Sequence, residues 1–363
     1  MSKPKRLVLV LGDQLDRQSP ALRDFDFQND EVIMIESIPE AQVVWSHKAK
    51  IALFLSAMRH FAEELKADGY PVHYVQESKL SIVDSLKEIL LEKGIKYLIC
   101  IEPGEWRLKL AIEKLAKDSK VQLDMREDSH FYCTHREFKE WAANKKELRL
   151  EFFYRLMRKT HNILLDKDGN PEGGQWNFDQ DNRKPYPKSG PGIIETPVLF
   201  EPDAITQEVL QFVQSHYSEH PGSLEQFRWP VTRDEALEAL QYFVDYRLRN
   251  FGIYQDAMWT DTPYGWHSIL SSSLNLKLLN PREVISAVLD AWKKYSLDLS
   301  TVEGFIRQIL GWREFVRGMY YLDMPKMATD NFYNHQRALP DWYWTGKTKM
   351  RCMQDAVGQT LRY

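Results

Sequence analysis

Three segments in the second half of the chain carry side chains that could hold a phosphorylated aromatic ligand. Gly265 to Val284 (GWHSILSSSLNLKLLNPREV) sets Ser268, Ser271, Ser272 and Ser273 close to a helix start. Hydroxyls and free backbone amides at such a start make an anion site suited to a diphosphate; serine is equally a common helix cap. Val302 to Arg317 (VEGFIRQILGWREFVR) is amphipathic and brings Glu303, Arg307, Gln308, Trp312 and Arg313 within a few turns of one another. Polar groups on a mostly buried helix need partners, and a bound heteroaromatic could supply them. Glu303 and Arg307 could instead be an i,i+4 pair on a solvated face. Leu339 to Cys352 (LPDWYWTGKTKMRC) sets Trp342, Tyr343 and Trp344 side by side, rings that suit stacking, electron transfer or simply an aromatic plug in a core.

Two further places are chemically loaded. Gly12-Asp13-Gln14 and Glu102-Pro103-Gly104-Glu105-Trp106 each follow a short apolar run; such residues serve either a ligand or the turn into a helix. Lys167 to Pro197 is rich in Gly, Pro, Asn and Asp and lacks periodicity, which marks a long irregular connection. It carries Trp176, Phe178, Arg183, Lys184 and Lys188, a mixture that suits a phosphate backbone or an unstacked base and equally an anchored linker with tucked rings. The GxSxG, P-loop, GxGxxG, HExxH and CxxC signatures are absent, which removes the easy hydrolase, kinase, dinucleotide and zinc readings.

The elements that must position these groups fall into two styles. From Arg6 to about Glu127, β-rich runs (Leu7 to Leu11, Glu31 to Ile35, Val72 to Val75, Tyr97 to Ile101, Val121 to Met125) alternate with helical ones such as Ala49 to Lys66 and Ser81 to Lys93. Alternation of this kind predicts a parallel sheet covered on both faces, with ligands at the carboxyl ends of its strands. After about Glu208 the periodicity is helical: Thr232 to Asn250, Pro281 to Tyr295, Val302 to Tyr321 and Met350 to Tyr363. The expected division is an α/β domain over 1–135, a connecting helix and long loop over 136–205, and an all-α domain over 206–363.

With 363 residues the chain is long enough for two self-sufficient cores. A net charge of -4 gives no global pull toward nucleic acid, so any contact with DNA needs a local basic surface. The three cysteines, Cys100, Cys133 and Cys352, are too few and too far apart for a disulfide framework, which points to the cytoplasm. The apolar run after the basic start is too short for a signal peptide and reads as a buried strand.

The order of HSILSSSLNLKLLNPREV, VEGFIRQILGWREFVRG and LPDWYWTGKTKMRCM closely resembles the flavin-binding domain of the photolyase and cryptochrome superfamily, and within it the bacterial iron-sulfur group that repairs 6-4 photoproducts. LVLVLGDQL, KIALFLSAMRHFAEEL, EPGEWR and GGQWNFDQDNR resemble the same group, so the likeness runs along essentially the whole chain. It implies a Rossmann-like antenna domain followed by a helical FAD domain, and a carbon-carbon lyase in which light-excited reduced FAD splits a UV lesion flipped out of DNA, an extrusion made cheap by poor stacking of damaged bases.

By the same resemblance His267, Ser268, Ile269, Leu270 and Ser271 run along the FAD phosphates and ribityl chain, while Gln308, Trp312 and Arg313 line the flavin and lesion side. Trp344 matches a relay tryptophan. Asp13, Gln14, Glu40 and Glu105 fall on segments that hold a lumazine-type antenna chromophore, and Arg183 matches a residue near the DNA backbone. The full-length family form is a monomer, acts on UV-damaged DNA and involves no membrane.

The resemblance also marks a departure. The group holds a four-iron four-sulfur cluster on four cysteines, of which only the one matching Cys352 is present, and a paired-histidine proton donor is absent. The expectation is a C-terminally truncated member lacking roughly 150 residues, with a part-open flavin pocket prone to self-association. A cryptochrome that senses blue light without repair, an inactive truncated product, and a non-catalytic nucleotide- or nucleic-acid-binding protein are the alternatives.

Overall fold

The computed structural model describes residues 6–362, which divide into two compact units. The first unit gathers Met1–Asp128, Leu199–Thr232 and Asp330–Tyr363; the second gathers Ser129–Val198 and Arg233–Thr329.

The first unit is built on a parallel sheet of five strands, β1 (Arg6–Leu9), β2 (Asp30–Ser37), β3 (Val72–Ser78), β4 (Tyr97–Ile101) and β5 (Gln122–Arg126), ordered β3-β2-β1-β4-β5. All five coincide with the apolar runs in the sequence. In β1, β2 and β4 the runs are continuous and not alternating because both faces are covered, whereas the edge strands β3 and β5 carry polar residues and are only partly buried. Leu7, Leu9, Ile33, Ile35, Leu98 and Cys100 pack on one face with Leu86, Ile89 and Leu90 from helix Ile82–Lys93 and with Ile112 and Leu115 from helix Trp106–Asp118. Alternate residues Val8, Val32 and Met34 are just as buried, and helix Lys48–Ala67 packs against β2 and β3. Ser81 starts its helix by accepting the Asp84 N–H, and Gly94, at φ 62°, ends it in the left-handed conformation that glycine adopts freely.

β1 lies between β2 and β4, so the connection leaving β1 goes to one side and the connection from β3 returns on the other. The topology switches between β1 and β4, whose carboxyl ends are the usual place for a ligand in such sheets. Asp13, Gln14 and Glu102 to Trp106 follow these two strand ends.

The second unit is helical among its described residues. Helices His135–Ala142 and Pro281–Tyr295 both begin with a capping box, Thr134 with Glu137 and Asn280 with Glu283. The expected helix over Val302 to Tyr321 is a run of three parts: Leu299–Ile306, a π-helical stretch Arg307–Arg313, and Glu314–Asp323. A second π-helical stretch, Phe243–Arg247, joins Arg233–Tyr242 to Leu248–Tyr254. Hydropathy periodicity does not distinguish these local widenings from a plain helix, and they recur at functional sites. Gly252 lets two of these runs cross closely, since a Cβ there would stand 2.4 Å from Thr301 Cα.

Candidate functional site

Residues 301–314 are buried except for the half-buried Arg313 and two exposed positions in the π-helical stretch. Gln308 is exposed and Trp312 is 47% exposed, and Val316, one turn on, is 59% exposed. These three form one uncovered stripe along an otherwise packed helix. The Gln308 amide N–H donates to the Gly304 carbonyl at 3.2 Å, which leaves its amide oxygen as the acceptor available on an exposed residue. Arg313 points elsewhere: it donates to the His130 carbonyl at 2.8 Å and lies 3.9 Å from the Phe131 ring centroid. Its neighbour Glu314, 2% exposed, accepts from the backbone N–H groups of Tyr132 and Cys133 at 3.0 and 3.1 Å.

The inner face of the same helix holds a buried charge set. Glu303 is fully buried, accepts the Phe178 N–H at 3.1 Å and lies 3.3 Å from Arg307 Nε. Arg307 also reaches Asp179 at 2.8 Å, and Arg183 pairs with that same carboxylate. Burial pushes the Glu303 carboxyl up from its ordinary value, against the pull of Arg307. Against its own burial, Asp179 is held below the usual carboxylate range by Arg307 and Arg183. The solvated i,i+4 pair left open by the sequence is therefore an interior pair, because residues 177–182 cover it.

Those residues belong to the irregular strap of 163–197, whose described helical content is two short turns, Glu172–Gly174 and Asp179–Asn182. Its carbonyls are met by buried guanidinium groups. Arg158, 0% exposed, donates to Ile163 and Trp176 at 3.2 and 3.1 Å and also to Leu164. Sequence spacing did not single out Arg158 or Arg247; the available signal was an arginine placed where a helix otherwise buries apolar residues. The Trp176 ring lies within 5.8 Å of Arg155, 5.1 Å of Arg158 and 5.3 Å of Lys159. The side chain of Arg183, paired with Asp179, is 64% exposed, so the strap carries an exposed guanidinium and a cation-ringed indole on a chain of net negative charge.

The serine-rich segment lies in the same unit. Gly265 and Ile269 have φ of 45° and 59°. A β-branched residue in that region is strained and is retained where surrounding structure demands the turn. The turn brings Ser268 Oγ to 3.5 Å from the Leu270 N–H and leads into helix Ser271–Leu276. His267 is exposed, with its ring edge-on to Phe251 at 6.1 Å; desolvation, then the Arg247 charge, holds its imidazole below the ordinary value. Ser272 Oγ, Ser273 Oγ and Trp266 Nε1 are buried without a hydrogen-bond partner. Three orphaned polar groups within eight residues are what a polar ligand would satisfy.

In the first unit, Gln14 is 2% exposed and its amide ties the two strand ends together, donating to the carbonyls of Ile101 at 3.3 Å and Glu102 at 3.4 Å. Asp13 lies beside Gly104, whose Cβ would stand 3.2 Å from Asp13 Oδ2. Arg107 bonds Glu105 at 2.7 and 2.8 Å and also Glu40, joining these two carboxylates at the rim. Trp344 is 51% exposed and meets Trp45 edge-on at 6.3 Å, so the three-ring segment is no core plug. Cys352 is exposed, whereas Cys100 and Cys133 are buried, and burial pushes the Cys100 thiol up to about 12. Among the described residues no group of three or more His, Cys, Asp or Glu could hold a metal.

Comparison with known proteins agrees with this architecture. The family model described as deoxyribodipyrimidine photo-lyase-related protein matches residues 8–229. A (6-4) photolyase of Agrobacterium fabrum is 41% identical over 361 residues, covering 98% of this chain and 70% of the relative. Among solved structures, a class III photolyase from Agrobacterium tumefaciens aligns with TM-score 0.53 and 13% identity, over 91% of this chain and 61% of its own. A Synechocystis cryptochrome aligns with TM-score 0.59 and 14% identity, over 99% of this chain and 72% of its own. The chain thus spans about three fifths to seven tenths of the length of these proteins, and the two structures speak to the fold. On the family match and the 41% identity, the chain belongs to the deoxyribodipyrimidine photo-lyase-related family.

Proposed function

We propose that this chain binds FAD in its helical unit and serves light-driven repair of UV photoproducts in DNA, specifically 6-4 photoproducts. The observation that carries the reading is the uncovered Gln308–Trp312–Val316 stripe, whose first two members stand out from the buried stretch 301–311 and its continuation. Such a stripe is suited to a flat heteroaromatic: the indole offers a stacking face and Gln308 an acceptor. The orphaned Ser272, Ser273 and Trp266 donors fit the polar part of the same ligand. His267, Ser268, Ile269, Leu270 and Ser271 would hold its phosphates and ribityl chain, and Gln308 and Trp312 its ring. Bound there in its reduced form, FAD would supply under blue light an electron that is lent to the lesion for its splitting and returned when the lesion has opened.

The remaining work falls to the chain's own groups. Arg313 acts by holding residues 130–131 in place beside the stripe. Arg183 and the cation-ringed Trp176 offer phosphate contact and a stacking face to a distorted strand. Trp344, edge-on to the 53% exposed Trp45, would serve as the relay tryptophan that the resemblance implies. Asp13, Glu40 and Glu105 offer carboxylate acceptors to the N–H and hydroxyl groups of a lumazine-type antenna, while the Gln14 amide is already committed to backbone carbonyls. The thiols present do not fit a four-iron four-sulfur centre, for which one exposed cysteine is too few, and no step is assigned to one. No helix among the described residues is long and apolar enough to cross a membrane.

The test is repair of an oligonucleotide carrying one 6-4 photoproduct by FAD-loaded protein, under blue light and in the dark. Light-dependent loss of the lesion is expected. Loaded protein that leaves the lesion intact under light contradicts repair and favours the photoreceptor reading.

A further inference from the structure

Arg247 stands at the end of the π-helical stretch Phe243–Arg247 and is 1% exposed. Its guanidinium reaches three carbonyls from two separate segments. It donates to Glu195 at the far end of the strap, to Gly265 at 2.7 Å, and to His267 at 2.9 Å from Nη2 and 3.2 Å from Nε. No carboxylate forms an ion pair with it among the described residues. A full positive charge is thus buried against carbonyl dipoles alone, an arrangement that is costly unless something more compensates it. Desolvation accordingly pulls its pKa down to about 10.

The segment that Arg247 grips runs directly into the orphaned Trp266, Ser272 and Ser273 donors, and Tyr186 of the strap adds a fourth. Its buried hydroxyl also lacks a partner, and a Cβ on Gly265 would stand 3.3 Å from it. An unpaired cation together with four unpaired donors defines the complementary ligand chemistry as an anion rich in acceptor oxygens, such as a diphosphate.

We propose that Arg247 is a positioning residue that links diphosphate occupancy of residues 265–273 to the order of the strap at Glu195. The inference rests on the FAD reading above. A diphosphate beside 265–273 stabilises the arrangement in which the guanidinium faces those carbonyls, and the planar fork that makes those bonds also holds Glu195. Because one group serves both segments, the linkage is reciprocal: ordering the strap favours the diphosphate, and the diphosphate favours an ordered strap. The strap carries Arg183 and Trp176, so nucleic-acid affinity becomes dependent on cofactor.

Hydrogen exchange of the whole chain, with and without saturating FAD, tests this in the wild type and in Arg247→Lys, which keeps the charge but loses the fork. In the wild type FAD should slow exchange both in 265–273 and in 192–198, the latter by about tenfold, an ordinary size for coupling between sites. In Arg247→Lys FAD should still protect 265–273 while 192–198 exchanges as in the FAD-free protein. A merely structural role would loosen 192–198 equally with and without FAD. FAD-loaded wild type whose 192–198 exchange is unchanged overturns the proposal even if the variant does not fold, and so does a variant that keeps the coupling. Failure of the wild type to quench FAD fluorescence overturns the FAD reading itself, and this inference with it.

Discussion

Asp179 on the irregular strap and Arg307 on the π-distorted helix meet at 2.8 Å, which joins the segment bearing Trp176 and Arg183 to the helix bearing the Gln308–Trp312 stripe. The junction is completed from below by Glu303, which accepts the strap's Phe178 N–H.

Removing Glu303 should therefore cost more than a surface ion pair. Glu303→Ala leaves Arg307 buried beside fewer anions and the Phe178 amide unpaired, and breaking a buried pair from one side costs about 3–5 kcal/mol. Urea denaturation of the variant should show a loss of that size. A loss near the roughly 0–1 kcal/mol of an exposed pair would mean the junction is solvated.

Gly252→Ala tests the helix crossing. A Cβ at 252 would lie 2.4 Å from Thr301 Cα, a backbone atom that cannot swing aside. The two helices must separate, at about 1–3 kcal/mol, and thermal unfolding should show it. Since Thr301 lies in the first turn of the run that presents the stripe, FAD affinity should fall as well. Unchanged stability would refute the close crossing.

His47 caps helix Lys48–Ala67 by accepting the Ala49 N–H at Nδ1. Accepting requires a neutral ring, and burial accordingly holds its pKa below the ordinary value. With the folded value below the unfolded one, the contribution is complete above about pH 6.5 and is lost as the pH falls through the folded value. His47→Asn keeps the cap but does not titrate. Its stability should fall less than the wild type's between pH 7 and 5, by about 1 kcal/mol; identical slopes would remove His47 from the account.

Arg183→Ala should weaken binding of lesion-bearing DNA uniformly across flanking sequences. The slope of log affinity against log salt should drop by about 1, as expected for one lost phosphate contact. An unchanged slope would place the phosphate contact elsewhere on the strap.

The central strands β1, β2 and β4 were legible because parallel strands buried on both faces appear as unbroken apolar runs, the edge strands β3 and β5 as short β-rich runs between helical segments, and the helices of the second half through a 3.6-residue period. The interior of the second unit was not. Nothing in VEGFIRQILGWR separates a π-helical stretch from an α-helix, and Glu303 and Arg307 look alike whether solvated or covered by residues 177–182. Arg158 and Arg247 were invisible for another reason: they bond backbone carbonyls, which every residue carries. Gln14 was legible as a strand-end residue, but its work of tying Ile101 and Glu102 is again with backbone. The exposure of Trp344 ran against a plug reading that the adjacent Trp342 and Tyr343 supported equally well.

The central claim is that the helical unit holds FAD along the Gln308–Trp312 stripe, and the most direct measurement is a titration of FAD-free protein with FAD, followed from near-UV to blue absorbance and by flavin fluorescence. Saturable binding with a perturbed, quenched flavin is expected, weakened about tenfold or more in Trp312→Ala through loss of roughly 1–3 kcal/mol of stacking. A wild-type protein that stays colourless and leaves the flavin unquenched, or a Trp312→Ala variant that binds as tightly as the wild type, would contradict the account.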